Sequence, residues 1–121
     1  MSLRTLIIDD SATFLAAARN VLDGPRFAVV GEATTAPEAV RMLDELAPDI
    51  ILLDIDLGEE SGFAVAERLS ERIASVGARL ILISSHPEEV FADLIAESPA
   101  LGFLSKEDLS PHSLAKLVQN S

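Results

Sequence analysis

Four short apolar runs in this chain each end at a residue that carries chemistry. Leu6-Ile7-Ile8 ends at Asp9-Asp10, and Ile50-Ile51-Leu52-Leu53 ends at Asp54. Leu80-Ile81-Leu82-Ile83 ends at Ser84-Ser85, and Phe103-Leu104-Ser105 leads into Lys106. Apolar runs of this length, bounded by turn residues, read as buried strands of a parallel sheet. Between them the apolar positions recur with a helical period, and the alternation predicts βαβ units. Strands are expected near Leu3–Ile8, Phe27–Ala33, Asp49–Asp54, Arg79–Ser84 and Leu101–Ser105. Helices are expected near Ser11–Leu22, Pro37–Leu46, Gly62–Ser75, Pro87–Ala96 and Pro111–Gln119.

Local signals support these starts and stops. Thr35-Ala36-Pro37-Glu38 has the form of a capping box, and Ser85-His86-Pro87-Glu88 repeats it. Ser110-Pro111 places an N-cap before a proline at the first helical position. Asp23-Gly24-Pro25 ends the first helix, and Pro48 and Pro99 mark breaks between helix and strand. No repeat, low-complexity tract or internal linker interrupts the pattern, so residues 1–121 read as a single domain. The fold class is α/β. With right-handed crossovers, five strands and five helices fit a doubly wound, flavodoxin-like parallel sheet of order 2-1-3-4-5.

Composition narrows the function. Twenty acidic residues against nine Lys and Arg give a formal net charge of -11. Phosphate contacts need basic side chains, so direct nucleic-acid binding by this segment is not expected. The charge fits plain solubility, an acidic metal site, or docking of a basic partner. The chain has no cysteine, which removes disulfides and thiolate metal sites and makes the cytoplasm the natural compartment. No apolar stretch is long enough to span a membrane.

Ligands of open parallel sheets bind outside the carboxyl ends of the strands, at the point where the strand order reverses. Here that crevice lies between strands 1 and 3, flanked by Asp9, Asp10 and Asp54. Carboxylates this close do not all ionise comfortably without a cation among them. Mg2+ fits best, because it takes hard oxygen ligands and shares them with phosphate and water. An aspartate can also act as a nucleophile and form an aspartyl-phosphate. Asp54 stands alone at its strand end, Lys106 offers the ammonium that would steady phosphoryl charge, and Ser84 offers a hydroxyl. His86 and His112 lie far apart and read as surface residues. Taken singly, each residue has a plainer reading: Asp9-Asp10 as a helix start, Asp54 as a strand-end acid, Lys106 as a surface lysine, Phe103 as core. Ser84 and Ser85 compete for the hydroxyl role.

At these residues the chain resembles the receiver domain of two-component response regulators. The resemblance rests on Leu-Ile-Ile-Asp9-Asp10, Ile-Leu-Leu-Asp54 followed by Gly62, Ile-Leu-Ile-Ser84-Ser85 and Gly102-Phe103-Leu104-Ser105-Lys106, and runs from about Leu3 to Val118. It implies that Asp54 is phosphorylated, that Asp9 and Asp10 position Mg2+, and that the backbone carbonyl of Asp56 completes the metal site. It makes Ser84 the switch hydroxyl, Lys106 the lysine that touches the phosphoryl group, and Phe103 the switch aromatic. Asp56 and His86 match positions that tune phosphoryl lifetime. A histidine kinase or phosphotransferase would be the donor. Phosphorylation would remodel the face of helix 4, strand 5 and helix 5, which acts on an output domain or partner and leaves room for a phosphorylation-dependent homodimer.

Three departures stand out. Glu107 follows the lysine where proline is common, a feature similar to receivers joined to LuxR-type helix-turn-helix DNA-binding domains. Gly58 occupies a position where proline is frequent, and Pro99 precedes strand 5 where a glycine turn is usual. Two other functions compete. Asp54-Ile55-Asp56 after an apolar strand resembles the first motif of haloacid-dehalogenase-type phosphatases, although those carry it on an early strand of a longer chain. A receiver that never takes phosphate would serve only as an interaction module. A nucleotide-binding flavodoxin-like protein would need a glycine-rich loop after strand 1, which this chain lacks.

Overall fold

Ile50-Ile51-Leu52-Leu53-Asp54 is buried at every position, which only a strand covered on both faces and paired on both edges can be. It is the middle of the sheet. The computed structural model describes residues 2–58 and 60–119. In chain order the main elements are β1 (Leu3–Ile8), α1 (Ala12–Leu22), β2 (Phe27–Ala33), α2 (Ala36–Leu46), β3 (Ile50–Asp54) and α3 (Gly62–Val76). These are followed by β4 (Arg79–Ser84), α4 (Ala92–Glu97), β5 (Gly102–Ser105) and α5 (Pro111–Gln119). The five strands are all parallel, in the expected order β2-β1-β3-β4-β5. A short antiparallel ribbon pairs Asp56–Leu57 with Glu60–Ser61 beside the end of β3.

Alternate strand residues feed two cores. Leu6, Ile8, Ile51, Leu53, Leu80 and Leu82 meet α2 and α3, with Phe91 and Ile95 packed against that cluster. Ile7, Ile50, Leu52, Ile81 and Ile83 meet α1 and α5. Among the described residues, no helix is long and apolar enough to cross a membrane.

The caps explain most boundaries. Thr35 Oγ1 accepts from the Glu38 N–H at 3.3 Å. The Glu38 carboxylate returns to the Thr34 N–H at 2.7 Å, one residue earlier than a standard box. Ser110 Oγ accepts from the Ser113 N–H at 3.0 Å and starts α5 at Pro111. Helix α3 stops at Gly77, which takes the left-handed conformation (φ 71°) that glycine adopts without strain.

The fourth helical segment differs from expectation. A single helix was expected over Pro87–Ala96, but the chain forms a 3₁₀ turn at Glu88–Phe91 and then the six-residue α4. The Ser85-His86-Pro87-Glu88 sequence does not act as a capping box, since the turn has no side-chain cap. Ser84, not Ser85, takes the His86 N–H. Neither the turn nor α4 contains a buried residue, and Val90 and Leu94 are 63% and 49% exposed. With no cap and few apolar groups turned inward, little holds this segment in one long helix.

Candidate functional site

Strand register assembles the site. Ile8 pairs with Leu53, so the next residue on each strand, Asp9 and Asp54, stand side by side at the rim. Asp54 pairs with Ile83, and Ser84 pairs with Ser105, which sets Ser84 and Lys106 at the same edge. Asp9, Asp54 and Ser84 are 0%, 4% and 1% exposed, whereas Asp10 is exposed. Ser85 is exposed too, so Ser84 is the hydroxyl held inside the rim.

Lys106 joins the acids. Its Nζ lies 2.7 Å from Asp9 Oδ2 and 3.4 Å from Asp54 Oδ2, on a side chain only 19% exposed. Asp9 Oδ1 accepts from the Ser11 N–H at 2.8 Å, and Asp54 Oδ1 from the Asp56 N–H at 3.2 Å. Burial pushes the Asp54 carboxyl up from 3.8 to about 6. The Asp56 N–H opposes that rise, the Asp9 charge adds to it, and Lys106 pulls it back. Burial alone would lower Lys106, but the close ion pair with Asp9, with the charge of Asp54, outweighs it and holds the ammonium above its ordinary 10.5. Asp54 is therefore mainly ionised at neutral pH and faces a permanent cation.

The acids also suit a hard metal ion. One oxygen each from Asp9, Asp10 and Asp54 lie within 4.8 Å of one another. Among the described residues, Asp9 Oδ2 is buried and accepts no well-aligned hydrogen bond, although the Lys106 ammonium pairs with it at 2.7 Å. A buried oxygen in that condition gains from a further cation. The donor set is all oxygen, which favours Mg2+ over zinc or copper.

Glycine shapes the floor of the site. A Cβ on Gly62 would sit 2.2 Å from the Asp54 carbonyl oxygen and 2.5 Å from Ile55 Cα. The Gly62 N–H also donates to the Ile55 carbonyl at 2.7 Å. The spacing from Asp54 to Gly62 thus reflects a close backbone approach.

The remaining expected residues sit around this centre. Phe103 is buried on the α2–α3 side of the sheet. Beside it an open groove of about 500 Å³ is lined by Pro87, Glu88, Glu89, Glu107 and Asp108. The Asp56 carboxylate lies outside the acid trio and points to solvent, 3.7 Å from His86 Nε2. His86 is exposed, as expected, but it also meets the Phe91 ring, 6.1 Å between centroids. His112 is an exposed residue of α5. Beside the His86–Asp56 contact, a second was not foreseen: Lys106 Nζ stands 4.4 Å from the centroid of Phe14, in the first turn of α1.

Comparison with known proteins agrees with this fold. The family described as the response regulator receiver domain matches residues 5–119. The DNA-binding transcriptional activator EvgA of Escherichia coli K12 is 31% identical over 106 residues, 88% of this chain and 51% of that protein. The nitrate/nitrite response regulator protein NarL of the same strain is 29% identical over 117 residues, 96% of this chain and 53% of that protein. The chain thus spans about half the length of these curated relatives. Among solved structures, a LuxR-family two-component response regulator from Aurantimonas sp. SI85-9A1 superposes with a TM-score of 0.81 at 26% identity, covering 99% of this chain and 84% of that one. The signal receiver domain of the putative response regulator NarL from Mycobacterium tuberculosis also gives 0.81, at 28% identity over 98% of this chain and 94% of that one.

Proposed function

The chain belongs to the response regulator receiver domain family, and we propose that it accepts a phosphoryl group on Asp54 from a histidine kinase or phosphotransferase. The observation that carries this reading is a buried Asp54 with the Lys106 ammonium 3.4 Å away and Asp9 beside it. An Asp54 carboxylate oxygen attacks phosphorus while the bond from phosphorus to the donor breaks, and the donor leaves with that electron pair. The product is an acyl phosphate.

Lys106 meets the charge on the incoming phosphoryl oxygens, and the Ser84 hydroxyl donates to one of them. Asp9, Asp10, Asp54 and the Asp56 carbonyl would hold Mg2+, which when bound supplies positive charge to the phosphoryl oxygens. Ser84 moving toward the new phosphate would draw Phe103 after it and change the face made by α4, β5 and α5. That motion switches the protein only if the phosphate favours the active conformer by a few kcal/mol. The chain is then a self-assisting phosphoacceptor switch rather than a multiple-turnover enzyme.

The unit formed by residues 1–121 is read as one receiver domain acting in the cytoplasm. Its relatives' extra length supports an output domain in the parent protein, with a DNA-binding role as EvgA's name states and of LuxR type as the Aurantimonas regulator's family states. A homodimer formed on phosphorylation is the other outlet for the switched face.

Intact-mass spectrometry after mixing the protein with acetyl phosphate and Mg2+, beside Asp54→Ala, tests the reading. One phosphoryl adduct in the wild type alone supports it. No adduct on a folded protein, even at short times, points to a phosphate-independent interaction module.

A further inference from the structure

The geometry points to Phe14 as a positioning residue for Lys106: its ring holds the ammonium over the acceptor pair. This inference rests on Asp54 and Lys106 being the reacting pair proposed above.

A closed circuit of contacts carries it. Asp9 Oδ1 accepts from the Ser11 N–H at 2.8 Å. Ser11, the N-cap of α1, accepts on Oγ from the Phe14 N–H at 3.2 Å. The Phe14 ring receives Lys106 Nζ at 4.4 Å from its centroid. Nζ then returns to Asp9, 2.7 Å from Oδ2. One carboxylate therefore fixes both ends of the loop: the helix start that presents the ring, and the ammonium that the ring receives.

Phe14 is poorly explained as core alone. It is only half-buried, packed against the edge of the α1–α5 cluster, and its ring meets a cation. A cation within about 6 Å of a ring centroid is drawn to the negative ring face. Lys106 has four rotatable carbons between backbone and charge, so its position is not set by the end of β5 alone. Of its two carboxylate partners, Asp54 cannot hold it constant, because it changes charge and shape when it becomes an acyl phosphate, which leaves Asp9 and the ring. The ring does not change. It offers the same attraction before and after transfer, and it adds no proton or negative charge to a crowded acidic site. An ammonium held in place before the phosphoryl group arrives needs less reorganisation during the reaction.

Three proteins test this: wild type, Phe14→Leu, which keeps apolar bulk and removes the ring face, and Phe14→Tyr, which keeps the ring. Phosphorylation by acetyl phosphate with Mg2+ is followed by intact mass, and the Lys106 ε-methylene protons are followed by NMR without phosphate or metal. Phe14→Leu should slow phosphoryl uptake about two- to five-fold, the size of a partly exposed cation–ring contact. It should also move the Lys106 ε protons downfield by removing the ring current, while Phe14→Tyr matches wild type in both. Uptake in Phe14→Leu at the wild-type rate overturns the inference, as does equal slowing in both variants, which would mean packing alone. A wild type that takes up no phosphoryl group defeats the Asp54 reading instead. In that case unmoved Lys106 resonances in Phe14→Leu overturn the positioning contact on their own.

Discussion

Gly62 lies so close beneath Asp54 that a single added carbon would stand 2.2 Å from the Asp54 carbonyl oxygen. Both residues belong to rigid parts, one ending the central strand and the other opening α3, so neither yields easily. Gly62→Ala should therefore cost about 1–3 kcal/mol, as overpacking does, and push the Asp54 backbone out of line. A circular-dichroism melt should show a clear fall in Tm, and phosphoryl uptake should fall with it. An unchanged melt would mean that the loop from Ile55 relaxes freely.

Asp54 gives the site a pH dependence of known sign. Its folded pKa is about 6 against an ordinary 3.8, with burial the main cause. Between those values the folded state keeps a proton that the unfolded chain has lost. Stability contributed by the neutral acid is therefore lost as pH rises through about 6, and the deficit is complete above that. Asp54→Asn should stabilise the metal-free protein by about 1 kcal/mol at pH 8, less than the full shift because the substitution also takes a carboxylate partner from Lys106. The gain should vanish near pH 4. Urea unfolding at the two pH values measures it, and a gain independent of pH would assign the effect to packing.

Mg2+ should raise Tm, because it binds the native acid cluster and has no such cluster in the unfolded chain. At ten times its Kd the gain is about 1.4 kcal/mol. Asp9→Ala combined with Asp10→Ala should abolish the gain, since these supply two of the three carboxylates. A gain that survives both substitutions would place the ion elsewhere.

The centre of the fold and the acids of the site were legible for one reason. A run such as Ile50–Leu53, apolar on both faces, has no stable place except inside a parallel sheet, and the residue that follows it must emerge at the rim. Thr35 was legible because a cap is set by residues close in sequence. Ser85 carries the same local signal and fails, because the chain after β4 gives its N–H to Ser84 and enters the turn from Pro87. Phe14 and the His86–Asp56 contact were not legible, since each depends on side chains from distant elements meeting in space.

The two serine/threonine sites make that difference measurable. Thr35→Ala should lower stability by about 1 kcal/mol, the usual cost of losing an N-cap. Ser85→Ala should stay within about 0.5 kcal/mol of wild type, as substitutions at exposed positions without a partner do. A comparable loss at Ser85 in urea titration would show that its hydroxyl caps the Glu88 turn after all.

Lys106 stands between Asp54 and the end of β5. It pairs with Asp9 and Asp54 from the end of β5, the strand that also carries Phe103. In Lys106→Ala the carboxylates lose their cation, but Asp54 keeps its nucleophilic oxygens and the acid trio keeps its ligands for a metal. Phosphoryl transfer should therefore slow yet still proceed. What should disappear is the pull that a phosphate exerts on β5 through the lysine. Phosphorylated Lys106→Ala should show little of the shift seen for Phe103 and the α4 face in phosphorylated wild type, measured by NMR at matched phosphate occupancy. Full shifts in the variant would move the coupling to Ser84 alone, whose strand β4 lies directly beside β5.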